Sequence, residues 1–261
     1  MSEWVVGHWT ETGCDLWEEV RSDDFFWNRM AFIYCLNVAA EYSDRIGETM
    51  GDTYRSTAED IKATITDHWN GDYLWESTNR PDDGATIHAI TTFAKEFYTP
   101  DSEEAAATLK YLIKAFCKEY PINQEANSAG EPGILIGRYP NDGYAGGNPW
   151  QLLTAVTAEC FYVGAAITYK KIRDRGDFHL SLDHNKHWME LLQLSNGTTA
   201  RDLARAQVSA GDAIMTRLHK FVAPDGGKID EQIDKHTGKQ ASAEHLTWSY
   251  ANILHALHIR K

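Results

Sequence analysis

Apolar residues three and four positions apart recur from one end of this chain to the other, and that spacing restricts it to a helical fold. Phe26, Met30, Ile33 and Leu36 fall on one helix face. So do Leu152, Val156, Cys160, Val163 and Ile167, and again Leu203, Ala206, Ala210, Ile214 and Leu218. The same periodicity predicts helices near Thr53 to Trp69, Ile87 to Phe97, Ser102 to Glu119, Leu180 to Leu194 and Glu244 to His258, about eight in all. No alternating strand pattern competes with them, and no repeat of solenoid period is present. The expected class is all-α, in a single domain over residues 1–261.

Local signals punctuate the helices. Ser22, Asp23 and Asp24 precede Phe25 as a candidate cap, Thr99-Pro100-Asp101-Ser102 precedes Glu103, and Asn196-Gly197 follows Leu194. The basic run Tyr169 to Gly176 stands where a helix should end, since cations complement the carbonyl end of a helix dipole. Two long segments read as irregular: Asn123 to Asn148, rich in Gly, Pro and Asn, and Pro224 to Ala243. Loops of that length in a helical domain are functional or disordered, and the aromatics and arginine of GRYPNDGYAGGNPW argue against disorder.

Composition narrows the ligands. A 43% hydrophobic content with nine Trp supplies a core, and a net charge of −13 disfavours nucleic acid and anionic lipid as partners. No apolar run is expected to span a bilayer, and the opening residues lack the pattern of a signal peptide. Cys14, Cys35, Cys117 and Cys160 have no zinc-type spacing and read as core thiols, with pairing left open. The pairs His184/His187 and His255/His258 lack the third ligand of a metal site, so no metal or cofactor is expected.

Three segments could carry chemistry. DLWEEV, Asp15 to Val20, sets two adjacent acids beside Trp17, where an apolar wall could keep one protonated. The plainer reading is acids complementing a helix start. Gly137 to Trp150 combines Arg138 and Asp142 with Tyr139, Tyr144 and Trp150, the stacking and bidentate groups that hold sugars; a Gly-rich turn before a helix is the alternative. DEQIDK, Asp230 to Lys235, followed by HLTWSY, could activate a water or be a solvated loop.

In this order the three segments, WTETGCDLWEEV, GRYPNDGYAGGNPWQLLT and DEQIDKHTGKQASAEHLTWSYANIL, resemble the later part of the catalytic domain of fungal glucoamylases, the family 15 glycoside hydrolases. The resemblance implies an (α/α)6 toroid, incomplete because the first helices of the family domain have no counterpart, and no starch-binding module. It implies inverting release of β-glucose from the non-reducing ends of α-1,4-glucans or maltooligosaccharides. Glu18 then resembles the general acid and Glu231 the general base. Leu16, Trp17, Glu19, Arg138 and Trp248 resemble groups lining the two sites flanking the scissile bond. Asp142, Tyr144 and Trp150 resemble supports of that wall, and Gln232 would sit beside the attacking water.

Departures accompany the match. The Arg-Asp pair and Trp that grip the terminal sugar in the family have no equivalent here, Cys14 replaces an aromatic, and Ala85 stands where an Asn is common. Two further readings follow: a sugar-binding module without turnover, and another (α/α)6 glycosidase of trehalase or glucodextranase type. Faces left bare by absent helices would favour self-association. Secretion or vacuolar location, with Asn196-Gly197-Thr198 as a glycosylation acceptor, is implied by the resemblance alone.

Overall fold

The protein is described from a computed structural model covering residues 2–261. In chain order its elements are α1 (Ser2–His8), β1 (Gly13–Cys14), β2 (Arg21–Ser22), α2 (Phe26–Ile46), α3 (Gly51–Ile65), α4 (Ala85–Phe93), α5 (Glu103–Glu119), α6 (Pro121–Ser128), α7 (Gln151–Arg175), α8 (Leu182–Leu191), α9 (Ala200–Val222), β3 (Gln232–Ile233), β4 (Gln240–Ala241) and α10 (Thr247–Arg260). All eight expected helices are present, and where both ends were expected they differ by no more than four residues. Two were not foreseen: α1, and α6, which opens the segment read as irregular and starts on Pro121, whose fixed φ suits a first helical position. The only strands among the described residues form two antiparallel hairpins of two residues a side, β1 with β2 and β3 with β4.

The inner helices share one polarity. Trp27 at the start of α2 lies 6.0 Å from His88 near the start of α4, and His88 lies 5.9 Å from Trp248 at the start of α10. Trp248 is 5.9 Å from Trp17, which is 5.6 Å from Trp150, the residue before α7. The N-terminal ends of α2, α4, α7 and α10 therefore meet in one aromatic cluster, while α3 packs back along α2 and α9 along α7. Four helix N-termini bring partial positive charge to one place. Acidic residues collect there in response.

That response explains where one sequence expectation fails. Ser22, Asp23 and Asp24 do not cap α2; its first residue is Phe26, and no side chain of the preceding residue caps it. Glu76 does so from a distance: its carbonyl accepts from Phe26 N at 2.8 Å and its carboxylate from Trp27 N at 3.0 Å. Asp24 instead accepts from Ser22 and Thr78. Ser102 caps α5 as expected, accepting from Ala105 N, and α7 ends at Arg175 before a glycine cap.

Helix α7 corrects another expectation. It is long and apolar enough to cross a bilayer, contrary to the reading of the sequence, yet 78% of its apolar window is buried inside the protein. Its surroundings are α4, α9 and α10, so apolar residues all round mark it as the central core helix. By the same logic α2 and α10 expose a second apolar face: Tyr34, Val38, Tyr42 and Ile46 recur every four residues on α2, and Leu254 and Leu257 stand out on α10. The thiols are free; Cys160 is buried as expected, whereas Cys14 and Cys35 are exposed.

Candidate active site

The segment DLWEEV is the loop of the first hairpin. Asp15 organises it: its Oδ1 accepts from Glu19 N at 2.7 Å and Val20 N at 3.2 Å, while Asp15 N donates to Val20 O at 3.0 Å. The turn forces Glu18 into a left-handed conformation, φ 61°, and its side chain projects into solvent. Trp17 faces the other way. It is buried, its indole donates to both oxygens of Asp83 at 3.0 and 3.1 Å, and it packs on Trp150 and Trp248. The apolar wall expected beside Glu18 is thus directed into the core, and Leu16 is half-buried against that core. These acids do not lie in the turn directly before α2, which begins only at Phe26.

Arg138 is the centre of the second segment and only 3% exposed. Asp142, four residues on, receives Nε and Nη2 at 2.8 Å each, and Glu19 receives Nη2 at 2.8 Å. Four aromatic rings surround the guanidinium: Tyr144 at 4.8 Å, Trp150 at 5.1 Å, Tyr139 at 5.2 Å and Trp17 at 5.6 Å. Burial opposes its charge, but the paired bonds to Asp142 outweigh it and hold the guanidinium above its ordinary pKa. Tyr144 is the exposed member of the group, while Trp150 and Trp17 are buried. Gly147 makes the turn possible: at φ 62° a Cβ there would stand 1.9 Å from the Asp142 carbonyl.

Glu231 comes from the second hairpin, and it too is buried. Ser242 donates to its Oε2, as does Gln232 Nε2 at 3.4 Å, and among the described residues Oε1 has no hydrogen-bond partner. Gln232 is wholly buried and its amide is shared between Asn148, at 3.1 Å, and Glu231, so it steadies the carboxylate rather than facing solvent. The backbone ties the two segments together: Gln151 N, the first of α7, donates to Glu231 O at 3.1 Å, and Trp150 bridges to Gln232. Trp248 closes the group, half-buried between His88 and Trp17. All eleven residues singled out from the sequence therefore belong to one neighbourhood, at the joint N-terminal end of the inner helices.

Arg80 was not singled out, yet it joins the site's parts. Its Nη1 meets Asp15 Oδ2 at 2.5 Å, its Nη2 meets Glu19 Oε2 at 3.0 Å, and its guanidinium stacks 3.9 Å from the Tyr139 ring. Tyr139 also donates to Glu19. Behind this cluster lie two fully buried acids, Glu76 and Asp83. Burial pushes Glu76 well above the usual carboxylate range, helped by the nearby Asp83. Burial likewise pushes Asp83 up to about 7, against its bonds from Ala85 N and Trp17. Arg80 is 3.6 Å from Asp83, outside hydrogen-bond reach, so its pull does not reverse the shift.

A pH dependence follows. The folded value of Asp83 lies above the unfolded one of about 4, so the native state binds this proton more tightly. That stabilisation is complete below about pH 4 and is lost as pH rises towards 7. Asp83→Asn keeps the shape without the titration. Unfolding free energies from urea titrations at several pH values are expected to give a wild-type minus variant difference that declines from pH 4 to 7 and is flat above. A difference independent of pH defeats the assignment.

Among the described residues no group of three or more His, Cys, Asp or Glu is arranged to hold a metal, and His255 of the second histidine pair is bonded to Glu159 at 2.8 Å.

The family described as glycosyl hydrolases family 15 matches residues 1–258. The chain belongs to that family. Among curated relatives, Glucoamylase-1 of Schizophyllum commune is 32% identical over 99% of this chain and 46% of its own length. The intracellular sporulation-specific glucoamylase of Saccharomyces cerevisiae is 26% identical over 98% of this chain and 53% of its own. The chain thus spans about half the length of the curated relatives it matches. The solved family 15 glucoamylase of Hypocrea jecorina superposes with a TM-score of 0.87 at 26% identity, covering 99% of this chain and 45% of that one. The fold is accordingly that of the family 15 (α/α)6 toroid, of which these helices make up a part.

Proposed function

We propose that this chain carries the acid and base of an inverting, exo-acting glucan 1,4-α-glucosidase, and that residues 1–261 act as one domain, the later portion of such a catalytic unit. The observation that carries this reading is the meeting of two acid-bearing hairpins on the buried Arg138 cluster. Glu231 has the form of a base: Ser242 and Gln232 fix one oxygen and leave the other for a water proton. Glu18, at the exposed tip of its loop, is the acid that protonates the leaving oxygen. Inversion by single displacement needs a water between the two, with carboxyls roughly 6.5–9.5 Å apart.

The remaining roles follow from charge and shape. Glu19, held by Arg80, Arg138 and Tyr139, stays a fixed hydrogen-bond acceptor for the sugar on the leaving side. Tyr144 offers an exposed ring for stacking, supported from behind by Trp150, with Arg138 anchored on Asp142. Trp17, Leu16 and Trp248 form the apolar floor, and Gln232 holds Glu231. The substrate is an α-1,4-glucan or maltooligosaccharide entering by its non-reducing end.

The test is polarimetric. Purified protein given maltoheptaose is expected to release glucose whose rotation starts at the β-anomer and drifts upward on mutarotation. Release of the α-anomer would rule out inversion. Absence of any release, with maltoheptaose binding still measurable by calorimetry, would favour the reading as a binding module.

A further inference from the structure

A cleft of about 370 Å³ opens at the base of the first hairpin, away from the loop that bears Glu18. Thr12, Gly13, Arg21 and Ser22, in or beside the two strands, form one wall, and Trp4 and Trp9 form another. Trp4 is the feature that calls for a ligand. It is 55% exposed and lines this cleft. His8, one turn on, stacks against it with centroids 4.6 Å apart and planes within 4°, and its ring bonds to the Trp4 carbonyl. One indole face is backed by His8, and the ring stands beside an open cleft.

The polar groups around it are of mixed kind. Asn28 spends its amide nitrogen on Cys14 O at 2.9 Å, which leaves its carbonyl oxygen for another donor. Arg21 gives one nitrogen to Thr12 O at 3.0 Å. The cations Arg21 and Arg29 are balanced by Glu11 and Asp23 around the same opening. Balanced charge disfavours an anion or a cation as ligand, and a rigid aromatic face amid alternating donors and acceptors suits a neutral polyol whose ring faces are apolar.

We infer that this cleft is a second carbohydrate site, in which a glucose unit of an α-glucan chain stacks on Trp4 while its hydroxyls reach Asn28, Arg21 and Asp23. The choice of an α-glucan rests on the function proposed above; the existence of a sugar site does not. Because the cleft wall is the stem of the acid-bearing hairpin, one glucan chain held here would keep its neighbours close to the proposed reaction centre, raising their effective concentration without new contacts there.

The experiment uses the whole protein labelled with 5-fluorotryptophan, with the Trp4 fluorine resonance identified as the one missing from Trp4→Phe. Titration with maltoheptaose is expected to shift that resonance saturably, in wild type and equally in Glu231→Gln and Tyr144→Ala. Calorimetry is expected to show one binding event weakened about tenfold in Trp4→Ala and restored towards wild type in Trp4→Phe. Loss of hydrolysis with the Trp4 shift intact would sink only the proposed reaction. A Trp4 resonance unmoved by millimolar maltoheptaose overturns the site, and an equal shift with cellohexaose overturns its assignment to α-glucans.

Discussion

Arg80→Met is expected to cost about 3–5 kcal/mol of stability, the range seen when one partner is removed from a buried ion pair. Asp15 and Asp83 are both almost fully buried, and Arg80 is the cation within 4 Å of each. Methionine fills much of the volume but leaves Asp15 with a desolvated charge and only backbone donors on its other oxygen. The Asp15 carboxylate also shapes the Glu18 turn, so the loop is expected to loosen along with the global loss. Urea unfolding measures the cost, and adding Asp15→Asn should recover a large part of it because the stranded charge is gone. A loss below about 1 kcal/mol for Arg80→Met alone would mean that the cluster is no more than a surface pair.

What could be read from the sequence divides by distance along the chain. Helices α2, α7 and α9 are legible because each is a local pattern, an apolar residue every third or fourth position. The Arg138–Asp142 pair is legible for the same reason, four residues apart in one Gly-rich turn. The cap of α2 is not, because Glu76 supplies it from 49 residues further on, and the nearby Ser22, Asp23 and Asp24 offered a false local answer. Arg80 was passed over because nothing in NRPDDG marks it; its partners Glu19 and Asp15 lie 61 and 65 residues back.

Burial on two sides also misleads a reading by period. Helix α7 looks like a membrane span because every face of it is packed, and α2 and α10 carry apolar residues on faces that nothing among the described residues covers. The environment of Glu18 is the most instructive case. Adjacent Trp17 suggested an apolar wall, but a residue at φ 61° reverses the chain direction, and consecutive side chains then point into different surroundings. Motif wording singled out Glu18; only the turn geometry showed its exposure.

That exposure bears on the other large expected effect, which separates the two proposed carboxylates by chemistry rather than by position. Glu18→Gln is expected to lower turnover of maltoheptaose by roughly 10²–10⁴ through loss of the proton donor. On α-glucosyl fluoride the same variant should keep most of its rate, since fluoride departs without being protonated. Glu231→Gln is expected to fail on both substrates, because the attacking water needs its base whichever group leaves. Gln at either position preserves the side-chain volume, and at Glu231 it still accepts from Ser242, so folding is not the variable. Parallel losses on both substrates for Glu18→Gln would show that the exposed loop tip does more than deliver a proton, and equal retention by Glu231→Gln would remove it as the base.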